Sequence, residues 1–300
     1  MALTKRQFDI LAALAGAGES GKKITQRELC AASCSSLGTV NRVLRELEAS
    51  GDVEGGRITR HGFETLEPYR AKRAIFIAAG FGTRLVPVTL NTPKPLVRVN
   101  GKRIIDTAID ACLAAGIDDI YIVRGYLAEQ FDQLLYKYPT VKFIDNPSYN
   151  EANNISSAMA ARHLMCGSYV FEADLLVTDP SIITKYHYQS DVLGIYSERT
   201  DDWCMTVDKD GCLDEEMIGG RNCYRMIGIY YISPSDGKLL ADDIPAAYAE
   251  PGGRERFWET VPNQVFRGKY KILVRECTDS DVTEIDTFRE LKAVDPAYDV

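Results

Sequence analysis

Three histidines and eight cysteines in 300 residues are too few and too dispersed to build a metal site or a disulfide framework. Cys30, Cys34, Cys112, Cys166, Cys204, Cys212, Cys223 and Cys277 include no CxxC pair and no histidine at zinc spacing, so neither structural role is indicated. A reducing cytoplasm is the simplest home. No apolar run is long enough to span a bilayer, and no membrane partner is expected. The stretch 10–17 behind Lys5 and Arg6 follows an interrupting Asp9, and helix packing explains it without a leader peptide. Two common phosphate loops are also missing. The dinucleotide fingerprint needs a glycine where Leu85 stands, and no Gly-Lys-Ser/Thr ending occurs.

What is present is enough for one sizeable core and a small additional domain, since 45% of the residues are hydrophobic. The formal charge of -8 is unevenly spread. Residues 1–70 hold ten basic against nine acidic residues, leaving 25 against 34 for the remainder. This divides the chain into a nearly neutral segment, 1–70, and an acidic one, 71–300, with a linker near Glu67-Pro68-Tyr69-Arg70-Ala71.

The first segment carries a short amphipathic helix around Phe8, Leu11 and Leu14, and Thr25-Gln26-Arg27-Glu28 is a capping box that opens a second. A third helix starts near Ser36. Val40, Val43, Leu44 and Leu47 form its buried stripe, with Thr39, Asn41, Arg42 and Arg45 turned outward. Gly51 stops it, and residues 52–59 read as a hairpin with a Gly55-Gly56 turn. Three helices and a hairpin resemble a winged helix-turn-helix domain of the MarR-like or related classes. That resemblance implies a recognition helix over 36–50 for the DNA major groove. The small positive balance is a weak phosphate-binding footprint, so DNA contact and a protein-contact or dimerisation role both stay open.

From Ala74 onward apolar strands alternate with helical periodicities, the pattern of a mostly parallel sheet with helices on both faces. Residues 74–77, 120–123, 141–144 and 169–171 read as strands; 104–113, 127–138 and 155–164 read as helices. Ligands in such sheets gather at strand carboxyl ends, where Ala78-Ala79-Gly80-Phe81-Gly82-Thr83-Arg84, Arg124-Gly125-Tyr126 and Asp174 fall. Gly80 and Gly82 let peptide N–H groups approach phosphate oxygens, and Arg84 and Lys94 bring positive charge. Asp174 reads either as a turn cap or as a cation ligand.

The strand, the Ala-Ala-Gly-x-Gly-x-Arg loop and Thr92-Pro93-Lys94-Pro95 resemble the nucleotide-sugar pyrophosphorylase and cytidylyltransferase superfamily. The resemblance spans roughly 72–295 and implies a Rossmann-like nucleotidyltransferase fold. It implies that Arg84 and Lys94 are catalytic, and that Ala78, Ala79, Gly80, Gly82, Thr83 and Arg84 hold the nucleotide. It also implies that Asp174 and Asp286, the latter in Glu284-Ile285-Asp286, hold Mg²⁺, with Glu284 and Asp281 as alternatives. Asn146-Pro147-Ser148-Tyr149-Asn150 and Asn153-Asn154-Ile155-Ser156-Ser157, with Gly125-Tyr126, narrow the resemblance to the phosphocholine branch and its 2-aminoethylphosphonate relatives. Gly125, Tyr126, Asn154 and Ser157 are then nucleotide-binding, although the asparagines also read as a helix cap. The implied reaction transfers CMP from CTP to phosphocholine, giving CDP-choline and pyrophosphate. 2-Aminoethylphosphonate, phosphoethanolamine or a sugar phosphate are alternative acceptors, and a transcription regulator that senses a nucleotide or choline phosphate is the alternative class. Asp202-Trp203, Tyr230 and Trp258-Glu259 are the candidates for an aromatic, acidic box around a quaternary ammonium.

Overall fold

The structure is a computed structural model that describes residues 2–19 and 21–299. The chain divides into two compact units, Met1–Arg70 and Ala71–Val300. In the first, α1 (Lys5–Glu19), α2 (Gln26–Ala32) and α3 (Leu37–Ala49) precede the hairpin β1 (Val53–Glu54) and β2 (Arg57–Ile58). The Thr25 capping box forms as expected, and Ser36 caps α3. Gly55 and Gly56 both take left-handed φ in the turn. A fourth helix, α4 (Arg60–Leu66), follows the hairpin and is absent from the sequence reading. Phe8, Leu11, Leu14, Val40, Val43, Leu47 and Leu66 are buried in this unit.

The second unit begins with β3 (Arg73–Ile77), a small hairpin of β4 (Arg98–Val99) and β5 (Lys102–Arg103), α5 (Ile104–Ala114), β6 (Asp119–Arg124) and β7 (Lys142–Asp145). It continues with α6 (Ile155–Ala161), β8 (Ser168–Glu172), β9 (Leu175–Val177), β10 (Asp191–Val207), β11 (Leu213–Ile232) and α7 (Pro234–Ala249). It ends with β12 (Leu273–Cys277), β13 (Val282–Glu284) and α8 (Phe288–Val294). The expected helix at 127–138 is a 3-10 run, Ala128–Tyr136, and that at 155–164 breaks into α6 and a 3-10 turn.

Seven strands form the central sheet in the order β12-β10-β11-β8-β3-β6-β7. β3 pairs in parallel with both β6 and β8, and β6 with β7. β11 is antiparallel to β8 and β10, and β10 is parallel to β12, so β11 alone is reversed. Strand alternation sorts the core onto two faces. Ala74 and Phe76 of β3 pack with Ile105, Ile109 and Cys112 of α5, whereas Ile75 and Ile77 pack with Ile155 and Ala158 of α6 and Leu240 and Ile244 of α7. The chain leaves β3 for β6 and β7 on one side of it and returns from β7 to β8 on the other. The resulting switch point opens a crevice beyond the carboxyl ends of β3 and β8.

Candidate active site

The crevice is a cavity of about 640 Å³. Its lining includes residues 77–84, Lys94, Asn146, Tyr149, residues 150–154, Ser156 and Ser157. Glu172, Ala173, Asp174, Arg254, Glu255, Phe257, Glu284 and Asp286 complete the named polar and aromatic walls.

The glycine loop is placed by strand β3 and fixed from outside. The Ala78 amide donates to the Val123 carbonyl at 2.9 Å, and the Tyr126 amide to the Ala79 carbonyl at 3.0 Å. Gly82 sits at φ 62°, and a Cβ there would lie 2.9 Å from the Lys94 Cβ, so glycine is required twice over. At Gly80 a Cβ would meet nothing within 4 Å, leaving that edge open to the cavity. Beneath the loop, Leu85, Val97, Val99, Ile104, Ile285 and Leu291 form a separate buried cluster. This cluster ties the Arg84 loop, the Lys94 segment and the late Glu-x-Asp segment to one another.

Asp174 and Asp286 meet because β13 pairs antiparallel with β9, and the Ile285 amide then donates to the Asp174 carbonyl at 3.1 Å. The capping box at the start of α8 holds the same strand end: the Asp286 and Thr287 amides each donate to Glu290 Oε2 at 2.8 Å. Lys94 Nζ lies 2.7 Å from Asp174 Oδ2 and 2.9 Å from Asp286 Oδ1, and Arg84 reaches Asp286 Oδ1 at 2.7 Å. Burial alone would lower the Lys94 pKa, but the two aspartates overcome it and raise the value. Glu284 is pushed up to about 8, first by burial and then by Asp174 and Asp286.

These residues fit Mg²⁺. Among the described residues Asp174 Oδ1 is buried without a hydrogen-bond partner, and Glu172, Asp174 and Glu284, but not the expected Asp286, each bring a carboxylate oxygen within 4.8 Å of the others. An all-oxygen donor set suits a hard cation.

Asn154 occupies the N-cap position of α6 but makes no side-chain cap bond. Its Nδ2 instead donates to Glu172 Oε1 at 3.2 Å and Glu259 Oε2 at 3.4 Å, while its Oδ1 accepts from the Trp258 amide at 2.7 Å. Burial, Glu259, Asp174 and Glu284 together raise the Glu172 pKa well above the ordinary range. Ser157 accepts from Asn146 Nδ2 at 3.0 Å. Gly125 and Tyr126 stand outside the lining and brace it. A Cβ at Gly125 would come within 2.6 Å of the Tyr149 side chain, and the Tyr126 hydroxyl donates to the Thr89 and Leu90 carbonyls at 3.1 and 3.2 Å.

The aromatic box needs correcting. Trp258 and Tyr230 are each 1% exposed and pack edge to face at 5.1 Å in the core beneath α7, so neither ring is open to the cavity. Phe257 lines it instead and meets Trp203 edge-on at 6.1 Å. Asp202 is exposed and raises the Glu284 pKa. Glu259 is buried behind Glu172. Among residues the sequence reading passed over, Glu172 and Arg254 line the cavity. Glu172 had a signal, standing two positions from Asp174 at a strand end.

Residues 73–201 match the family model described as nucleotidyl transferase. The 2-aminoethylphosphonate cytidylyltransferase of Lancefieldella rimae is 38% identical over 228 residues, 75% of this chain and 92% of that protein. The choline-phosphate cytidylyltransferase of Streptococcus pneumoniae is 29% identical over 74% of this chain and 96% of that protein. The solved structure of the CTP:phosphocholine cytidylyltransferase from Streptococcus pneumoniae aligns with a TM-score of 0.69 over 76% of this chain and 99% of that one.

Proposed function

The chain belongs to the nucleotidyltransferase family, among its cytidylyltransferases, and on that footing we propose that it transfers CMP from CTP to 2-aminoethylphosphonate. The observation that carries the choice of acceptor is the burial of Trp258 and Tyr230. With those rings withdrawn, the rings that line the cavity are Phe81, Tyr149 and Phe257, the last of them against Trp203, and the carboxylates of Glu151 and Glu255 line it outside the Glu172, Asp174 and Glu284 cluster. Carboxylates hydrogen-bond a primary ammonium, which has N–H groups to donate, whereas a trimethylated head depends on ring faces. The higher identity to the aminoethylphosphonate enzyme supports the same reading. The Trp203–Phe257 pair favours phosphocholine as the second reading.

In this mechanism an acceptor oxygen attacks the α-phosphorus, a new P–O bond forms, the α–β anhydride bond breaks, and pyrophosphate leaves. The acceptor is already an anion, so catalysis rests on alignment and charge compensation. Lys94 contacts the acceptor or α-phosphate, Arg84 the β- and γ-phosphates, and the amides of residues 80–83 cradle the departing pyrophosphate. Asp174 and Asp286, with Glu284 and Glu172 beside them, are the residues for Mg²⁺, which would supply charge neutralisation across the reacting phosphates. Pyrophosphate release with CTP and 2-aminoethylphosphonate, phosphoethanolamine or phosphocholine tests the proposal. We expect kcat/KM to be at least tenfold higher for the primary amines; a preference for phosphocholine replaces the first reading with the second.

A further inference from the structure

We propose that Lys94 is a placeholder cation, its ammonium group holding Asp174 and Asp286 together until a metal–nucleotide complex takes the carboxylates and frees the lysine for the phosphates. This rests on the reading of Asp174 and Asp286 as metal-holding residues and adds a second state to Lys94.

Three observations carry the inference. The Lys94 ammonium bridges one oxygen of each aspartate, at 2.7 and 2.9 Å, with the side chain only 11% exposed. The same two oxygens would have to turn from N–H donors to a divalent cation for the pair to serve as ligands. Among the described residues the second oxygen of Asp174 is buried and has no hydrogen-bond partner, so a lysine satisfies this acidic cluster only in part. A compact monocation thus offsets the mutual repulsion of Asp174 and Asp286 and cannot complete the oxygen cage. Arg84, 65% exposed and bound to Asp286 Oδ1 at 2.7 Å, is the second cation that must let go.

Metal entry therefore carries a cost in the absence of nucleotide, because it strands a lysine ammonium beside a divalent charge in a half-buried site. With nucleotide present the released Lys94 and Arg84 find phosphate oxygens, and the cost is offset. Metal and nucleotide binding become reciprocally coupled, each strengthening the other by the same factor.

The test is a titration of the full, nucleotide-free chain with Mn²⁺, read by the paramagnetic resonance of the free ion. The wild type should bind weakly, and α,β-methylene CTP should strengthen binding at least tenfold. Lys94→Met should bind Mn²⁺ at least tenfold more tightly than wild type without nucleotide, and its gain from the analogue should shrink. Unchanged or weaker binding by Lys94→Met overturns the proposal. A second measurement needs no variant: acetylation of Lys94, followed by mass spectrometry, should quicken when Mn²⁺ alone is added and fall when the analogue joins it. Unaltered labelling on Mn²⁺ addition also overturns the proposal. Neither readout involves an acceptor, so failure here leaves the assignment of 2-aminoethylphosphonate intact, and failure of that assignment leaves this result intact.

Discussion

At the scale of single residues, the site is a set of charges held in surroundings that would otherwise repel them. Lys94→Ala should lower turnover a hundredfold or more, about 3 kcal/mol of transition-state stabilisation, and steady-state kinetics at saturating CTP would check it. Glu216 makes a different prediction. It is 7% exposed; burial pushes its pKa up to about 7, while the side-chain amides of Asn263 and Gln264 pull it down only in part. Because the folded value exceeds the unfolded one, folding takes up a proton, and stability declines as pH rises from about 4.5 through about 7. Glu216→Gln should thus melt higher than wild type at pH 8 by a few degrees, reflecting on the order of 2 kcal/mol, and the difference should shrink at pH 5. Thermal melts at the two pH values decide this. The loop and the lysine were legible in the sequence because glycine and Pro-flanked lysine have few other uses there. Phe257 and Trp258 were not separable: the residues around them follow no helical or strand alternation, so nothing in the sequence says which ring is 39% exposed and which is 1%.

At the scale of elements, short apolar strands were readable and the long ribbon was not. β3, β6 and β8 are central, covered on both faces, and correspondingly apolar. β10 and β11 run for 17 and 20 residues, with exposed stretches and several register shifts, so their side-chain pattern drifts out of phase with any single face. The β9–β13 pairing, only three residues long on each strand, has no sequence signature, yet it sets the spacing of Asp174 and Asp286. The turn after β3 carries the sharpest prediction at this scale. Gly82→Ala must adopt a left-handed backbone and crowd Lys94, costing roughly 1–2 kcal/mol in strain. We expect a lower melting temperature together with a fall in kcat, whereas Gly80→Ala, which meets open space in the protein alone, should melt like wild type and raise the KM for CTP.

At the scale of the whole molecule, the two units carry separate buried cores, and we propose that they are separate functional domains. Deleting residues 1–70 should leave an active transferase, as measured by pyrophosphate release. For the first unit we propose a DNA-binding role through α3, whose Arg42 and Arg45 are exposed. Replacing both with alanine should weaken binding in gel-shift titrations and flatten its salt dependence without altering turnover; no selected sequence in a random DNA pool would instead point to protein contact. The bond between Arg84 and Asp286 joins positions 202 residues apart, which sets a timetable for synthesis. A ribosome releases the glycine loop early, and all seven strands of the central sheet emerge before the carboxylate that completes the site. A nascent chain stopped short of Asp286 is consequently a nearly finished scaffold in which Lys94 has Asp174 alone and Arg84 lacks its aspartate, and the capacity to handle CTP arrives in one late step rather than growing with chain length.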